Sequence, residues 1–191
     1  MLTCTTQRDM AEHKILFTGT TGAGKTTAIG MISETAPVRT DVRNTDSRLD
    51  KATTTVGLDY GEVTLDNGDR LRLYGTPGQQ RFDFMWTILA KGALGLIVLV
   101  DNRQPRPLAD LDMYLDGFKQ LIAETACVIA VGWTESHLLP SLEEFAAHAA
   151  SRGVVCPVLA VDVRDREQVT QLLELLLLQL EAKTGETHDG G

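Results

Sequence analysis

The segment Gly19-Thr20-Thr21-Gly22-Ala23-Gly24-Lys25-Thr26 has the spacing GxxxxGK[ST], and each residue type in it answers a need of phosphate chemistry. Gly19 and Gly24 permit backbone angles that a side chain forbids, so successive N–H groups can converge on phosphate oxygens. A helix starting near Lys25 adds the positive end of its dipole. The Lys25 ammonium can reach β- and γ-phosphates, and the Thr26 hydroxyl is a ligand for Mg²⁺. Gly19, Thr20, Thr21, Gly22, Ala23, Gly24, Lys25, Thr26 and Thr27 are therefore candidate nucleotide-binding residues.

Two further clusters carry chemistry. In Gly75-Thr76-Pro77-Gly78-Gln79-Gln80-Arg81-Phe82, the Gly78 N–H could bond a γ-phosphate, and Gln79 beside it could orient an attacking water. Thr53-Thr54-Thr55-Val56-Gly57-Leu58-Asp59-Tyr60 offers hydroxyls that could close on Mg²⁺. Pro77-Gly78 alone is an ordinary turn. Its place downstream of a phosphate loop favours the functional reading.

The elements around these clusters must position them. Lys14–Thr18 reads as a strand into the phosphate loop, and Thr27–Glu34 as a helix out of it, the context such a motif needs. Ala36–Thr54 is rich in Arg, Asp, Thr and Asn and reads as a long mobile loop. Val56–Leu65 alternates like a strand, Asp66-Asn67-Gly68-Asp69 supplies a hairpin turn, and Arg70–Tyr74 alternates again. Ala93–Val100 is a continuous apolar strand. Leu108–Ile122, Leu142–Ala150 and Glu167–Ala182 read as helices alternating with strands at Cys127–Val131 and Pro157–Val161. The pattern predicts an α/β fold, a mostly parallel six-stranded sheet with one antiparallel edge strand and helices on both faces. Leu172–Leu180 reads as a closing helix on that sheet. Residues 1–12 read as a flexible leader, 13–183 as one domain and 184–191 as a flexible tail.

On these motifs the chain resembles the bacterial Ras-like and Arf-like small GTPases of the P-loop NTPase superfamily, the motility/polarity and conservon-type branch, over roughly residues 13–182. Thr55-Val56-Gly57-Leu58-Asp59-Tyr60 is similar to the TIGxDY first switch, which implies that Thr55 senses Mg²⁺ and γ-phosphate. Thr76-Pro77-Gly78-Gln79 is similar to the second switch, which implies that Gln79 orients water. Metal-binding roles fall to Thr26 and Thr55, and catalytic roles to Lys25 and Gln79. Asp162-Val163-Arg164 occupies the family's last base-proximal loop, which places Val163 at the base. The cofactors implied are GTP/GDP and Mg²⁺. The activity implied is slow GTP hydrolysis in a molecular switch. Implied partners are a GTPase-activating protein of roadblock type and a sensor kinase or polarity and motility machinery.

Two positions depart from the family. Gly75 stands where an aspartate usually holds Mg²⁺ through water, although the bacterial branch often lacks it. The guanine-reading [NT]KxD is replaced by Gly132-Trp133-Thr134-Glu135-Ser136-His137. The tetrad is either Thr134–His137 or Gly132–Glu135, and only the second register lets Glu135 supply the carboxylate. Trp133 could stack on either purine. Arg39, Arg43 and Arg48 are candidates for a transition-state charge in cis. An ATP-dependent phosphotransferase using Val38–Arg48 as a lid and a non-hydrolysing nucleotide-binding scaffold are the rival readings.

Composition sets the outer bounds. The 191 residues suit one domain with a real core, and 26 acidic against 18 basic residues give a net charge of −8. That balance argues against a nucleic-acid binder. No signal peptide, membrane span or lipidation motif is evident, so a cytoplasmic protein without a direct membrane anchor is expected. Cys4, Cys127 and Cys156 lack metal-ligand spacing and read as reduced thiols, the latter two within strands.

Overall fold

The computed structural model describes residues 10–36, 38–43 and 55–186. The elements run β1 (Glu12–Gly19), α1 (Lys25–Ile32), β2 (Val38–Arg43), β3 (Thr55–Thr64), β4 (Arg70–Gly75), a 3₁₀ turn (Gln80–Phe82), α2 (Asp83–Ala90) and β5 (Ala93–Asp101). They continue with α3 (Pro107–Gly117), α4 (Lys119–Glu124), β6 (Ala126–Gly132), α5 (Leu142–Ser151), β7 (Val158–Ala160) and α6 (Arg166–Glu186).

The strands form one sheet in the order β2-β3-β4-β1-β5-β6-β7. From β4 to β7 the pairings are parallel, and β3 runs antiparallel to both β2 and β4. Six strands thus make the expected mostly parallel sheet with one antiparallel strand. β2 adds a seventh outside it, drawn from the stretch expected to be loop. The rest of that stretch, including Arg48, lies outside the described residues.

Successive residues of β1 serve opposite faces. Leu16 joins Leu96, Val98 and Ile129 in a core closed by Trp86, Tyr114, Leu121 and Phe145, from α2 to α5. Ile15 and Phe17 join Ile97, Leu99 and Val128 under Ala28, Ile29, Leu172 and Leu176, from α1 and α6. Burial on both faces explains the apolar runs Ile15–Phe17 of β1 and those filling β5 and β6. α6 is the expected closing helix, seated so near β5 that a Cβ at Gly95 would lie 2.7 Å from Leu176.

The hairpin forms as read, with Leu65 N–H donating to Asp69 O at 2.8 Å and Gly68 at φ 89°. The predicted helix over 108–122 instead breaks between α3 and α4. There a Cβ on Gly117 would stand 2.6 Å from the Trp86 ring, which stacks on Phe118 at 5.4 Å. Cys127 lies in β6, whereas Cys156 precedes β7. Among the described residues, no helix is long and apolar enough to cross a membrane.

Candidate functional site

The loops after β1, β4, β5 and β6, and the one after β7, emerge at the carboxyl edge of the sheet, where open α/β sheets bind ligands. Between β1 and α1 the chain makes the tight loop the glycines allow. Gly19 sits at φ 142° and Gly24 at φ 98°, and a Cβ on Gly19 would lie 2.2 Å from Leu99 O. α1 begins with no side-chain cap and no acidic residue in its first turn. Its leading N–H groups are thus not claimed by a side chain.

Lys25 is buried and folds back over the loop, donating to Gly19 O at 2.7 Å and Thr20 O at 2.8 Å. An ammonium has three donors, so one is left for a phosphate oxygen. Burial pushes its pKa down to about 8, against the opposing pull of Asp59.

Beside Lys25, the Thr26 hydroxyl donates to Asp59 Oδ2 at 2.6 Å. Asp59 lies on β3 directly opposite Gly75 on β4. A Cβ on Gly75 would be 2.9 Å from Asp59 Cβ and 3.0 Å from its Oδ2. The missing aspartate at 75 thus has a physical counterpart. The neighbouring strand puts a carboxylate into the space that residue 75 leaves by having no side chain. Sequence reading missed this role of Asp59, because cross-strand register is needed to see it.

The segment 76–79 leans on the phosphate loop. A Cβ on Gly78 would lie 2.5 Å from Thr21 N and 2.8 Å from Thr20 C. Three contacts hold it there: Thr76 Oγ1 with buried Thr18 Oγ1 at 2.7 Å, Trp86 Nε1 to Pro77 O at 3.1 Å, and Tyr114 Oη to Gly78 O at 3.1 Å. Burial raises the Tyr114 pKa, so the phenol stays a donor. Gln79 follows Gly78, exposed, at the head of the 3₁₀ turn. Thr55 opens β3 opposite Arg43, and its side chain lies outside the described residues, as do those of Arg39 and Arg43.

A cleft of about 450 Å³ runs from the loop to the ends of β6 and β7. Ala23, Gly24 and Thr27 form one part of it, and Trp133, Thr134, Glu135, Val163 and Arg164 another. Part of the loop and the base-side residues therefore share one cavity, whereas Lys25, Thr26 and Gly78 are not among its lining. Among the described residues no cluster of three or more His, Cys, Asp or Glu could hold a metal. The oxygen donors that meet are Thr26 and Asp59. Such a sparse set of hard oxygens fits Mg²⁺, which keeps several waters and leans on phosphates.

A family described as a conserved hypothetical ATP binding protein matches residues 39–118, downstream of the phosphate loop. The chain is similar to the Ras-related protein RabC of Dictyostelium discoideum, 24% identical over 177 residues, covering 89% of this chain and 84% of that protein. It is 26% identical over 184 residues to the Ras-related protein SEC4 of Candida albicans, covering 93% and 81%. It is 27% identical over 122 residues to the GTP-binding protein ypt2 of Schizosaccharomyces pombe, covering 62% and 56%.

Proposed function

We propose that the chain is a Mg²⁺-dependent nucleotide switch of the bacterial Ras-like kind, binding GTP and hydrolysing it slowly to GDP. The observation that carries this reading is the convergence of Lys25, the Thr26–Asp59 pair and Gly78 on one loop. The similarity to Ras-related proteins over most of the chain supports it.

Lys25 and the α1 N-terminus hold the β- and γ-phosphates. Thr26 and Asp59 would hold Mg²⁺, which would neutralise charge developing on the phosphate oxygens. Thr55 stands four residues from Asp59 along β3, about 13 Å of extended chain, and would reach the ion only if that end of the strand moved. Gly78 already rests on Thr20 and Thr21, and a bond from its N–H to a terminal phosphate adds to the contacts that hold the segment 76–79. Gln79 orients the water. The reading includes an activating partner, of roadblock type by resemblance, that supplies or arranges a positive charge.

Asp59 weakens the case for a non-hydrolysing scaffold, which leaned on the missing carboxylate at 75. The phosphotransferase reading needed Val38–Arg48 as a lid, and Val38–Arg43 is instead a strand of the sheet.

Asp59→Asn tests the metal assignment. The Mg²⁺ concentration needed for half-maximal slowing of GDP release is expected to rise about 10- to 100-fold, the usual cost of removing a carboxylate that supports a metal ligand. An unchanged Mg²⁺ titration would remove Asp59 from the site.

Lys25 gives a pH signature. A phosphate needs the charged ammonium, and in the free protein that charge is lost as pH rises through about 8. GDP affinity is therefore expected to be flat below that point and to fall by up to about tenfold per pH unit above it. Titrations with GDP from neutral to alkaline pH check the sign.

A further inference from the structure

We infer that residues 132–136 and 162–164 read the nucleotide base by stacking it on Trp133 rather than by a buried carboxylate, so the cleft takes adenine as well as guanine nucleotides. The inference rests on the phosphate-site reading above and names which bases that site accepts.

Trp133 is built as a platform. It has φ 65° and is the non-glycine residue in the left-handed region among the described residues. A bulky side chain holds that conformation only where its surroundings impose it. Here His137 N–H donates to Trp133 O at 3.0 Å. Buried Asn102 ties down the following turn, donating through Nδ2 to His137 O at 2.6 Å and Pro140 O at 3.2 Å.

Arg103 supports the indole, with its guanidinium carbon 3.8 Å from the ring centre. That guanidinium is fixed by two bonds to Asp101, itself 2% exposed. Trp133 and Arg164 line the cleft and Arg103 does not. The cleft-side Arg164 also stands near the ring, its guanidinium carbon 5.8 Å from the ring centre, so a stacking base meets Trp133 beside that cation. Residue 133 stays 46% exposed.

The polar groups around this platform discriminate poorly. The Asp162 carboxylate is taken up by Arg164 N, Nε and Nη2. The Gln168 amide is used at both ends, by Asp162 N and Asp165 Oδ2. Glu135 is exposed, so water satisfies it whichever base is present. Among the described residues, the buried side-chain atoms without a partner, Arg72 Nε and Asn102 Oδ1, belong to residues outside the cleft lining. Discrimination of 10⁴ or more comes from buried groups that the wrong ligand leaves unpaired, and none of these side chains offers one. Stacking accepts any base, since every base has a π-face.

The test is calorimetric titration of the full chain with GDP, ADP and inorganic pyrophosphate at fixed Mg²⁺, for wild type and Trp133→Ala. The wild-type GDP and ADP dissociation constants are expected to agree within about 10²-fold. Trp133→Ala is expected to weaken both nucleotides by a common factor of about 5- to 150-fold, the range found for removing a stacking aromatic. Its pyrophosphate affinity is expected to stay unchanged, which also shows that the variant is folded. A wild-type preference for GDP above about 10²-fold, or GDP and ADP affinities that ignore the substitution while pyrophosphate binds, would overturn the base inference alone. Wild-type protein that binds neither pyrophosphate nor nucleotide would overturn the phosphate site beneath it.

Discussion

Lys25→Ala is expected to lower affinity for GDP and GTP by more than about 100-fold without unfolding the protein. A hydrogen bond between a charged donor and its partner contributes about 1.5–3 kcal/mol, and in the proposed reading the ammonium gives its remaining donor to a phosphate and its charge acts on the others nearby. Loss of about 3 kcal/mol corresponds to roughly 100-fold in affinity. The fold should survive, because the substitution removes a desolvated cation, the Thr20 carbonyl keeps the Ala23 N–H as donor, and the buried Gly19 carbonyl loses one donor at a cost of about 1–3 kcal/mol. Titration with GDP, with circular dichroism as a control, checks both points. Wild-type affinity in the variant would mean that phosphate binds elsewhere.

Gln79→Leu is expected to leave GTP affinity within a few-fold and to slow single-turnover hydrolysis by about 10²-fold, the cost of losing orientation of one reactant. Gln79 is exposed beside Gly78, which packs against the phosphate loop. In the proposed mechanism its amide bears on the attacking water rather than on ground-state binding. Quench experiments with labelled GTP separate the two. Equal hydrolysis in the variant would remove Gln79 from the mechanism, whereas lost affinity would make it a binding residue.

Local patterns were the legible part of this chain. The phosphate loop, the hairpin at Asn67-Gly68 and the apolar runs of β5 and β6 each declare themselves within a few residues, through glycine spacing, turn chemistry or unbroken burial. What escaped depends on contacts between distant segments. β2 is polar and pairs only with β3, so nothing in Val38–Arg43 alone distinguishes it from loop. α2 is short, with eight residues, and follows the 3₁₀ turn at Gln80–Phe82 directly. Its Trp86 reaches back to Pro77, a role that no sequence spacing announces.

The same division runs through the site. Lys25, Thr26 and Gly78 were readable from their motifs. Asp59 was visible as part of a resemblance, but its bond to Thr26 follows from lying opposite a glycine on β4. Arg103 supports Trp133 from the end of another strand, and its pairing with Asp101 is what fixes it there. Residue 75 is the instructive case: a position that breaks the expected pattern is understood only with its cross-strand neighbour in view.

The central claim is that the loop at 19–26, with Thr26 and Asp59, forms a Mg²⁺-dependent nucleotide site. Calorimetric titration of the wild-type chain with GTP, in Mg²⁺ and again in excess EDTA, tests it most directly. The expected result is one site per chain whose affinity falls at least about tenfold when the metal is chelated. GTP that fails to bind, or binds equally in both buffers, would contradict it.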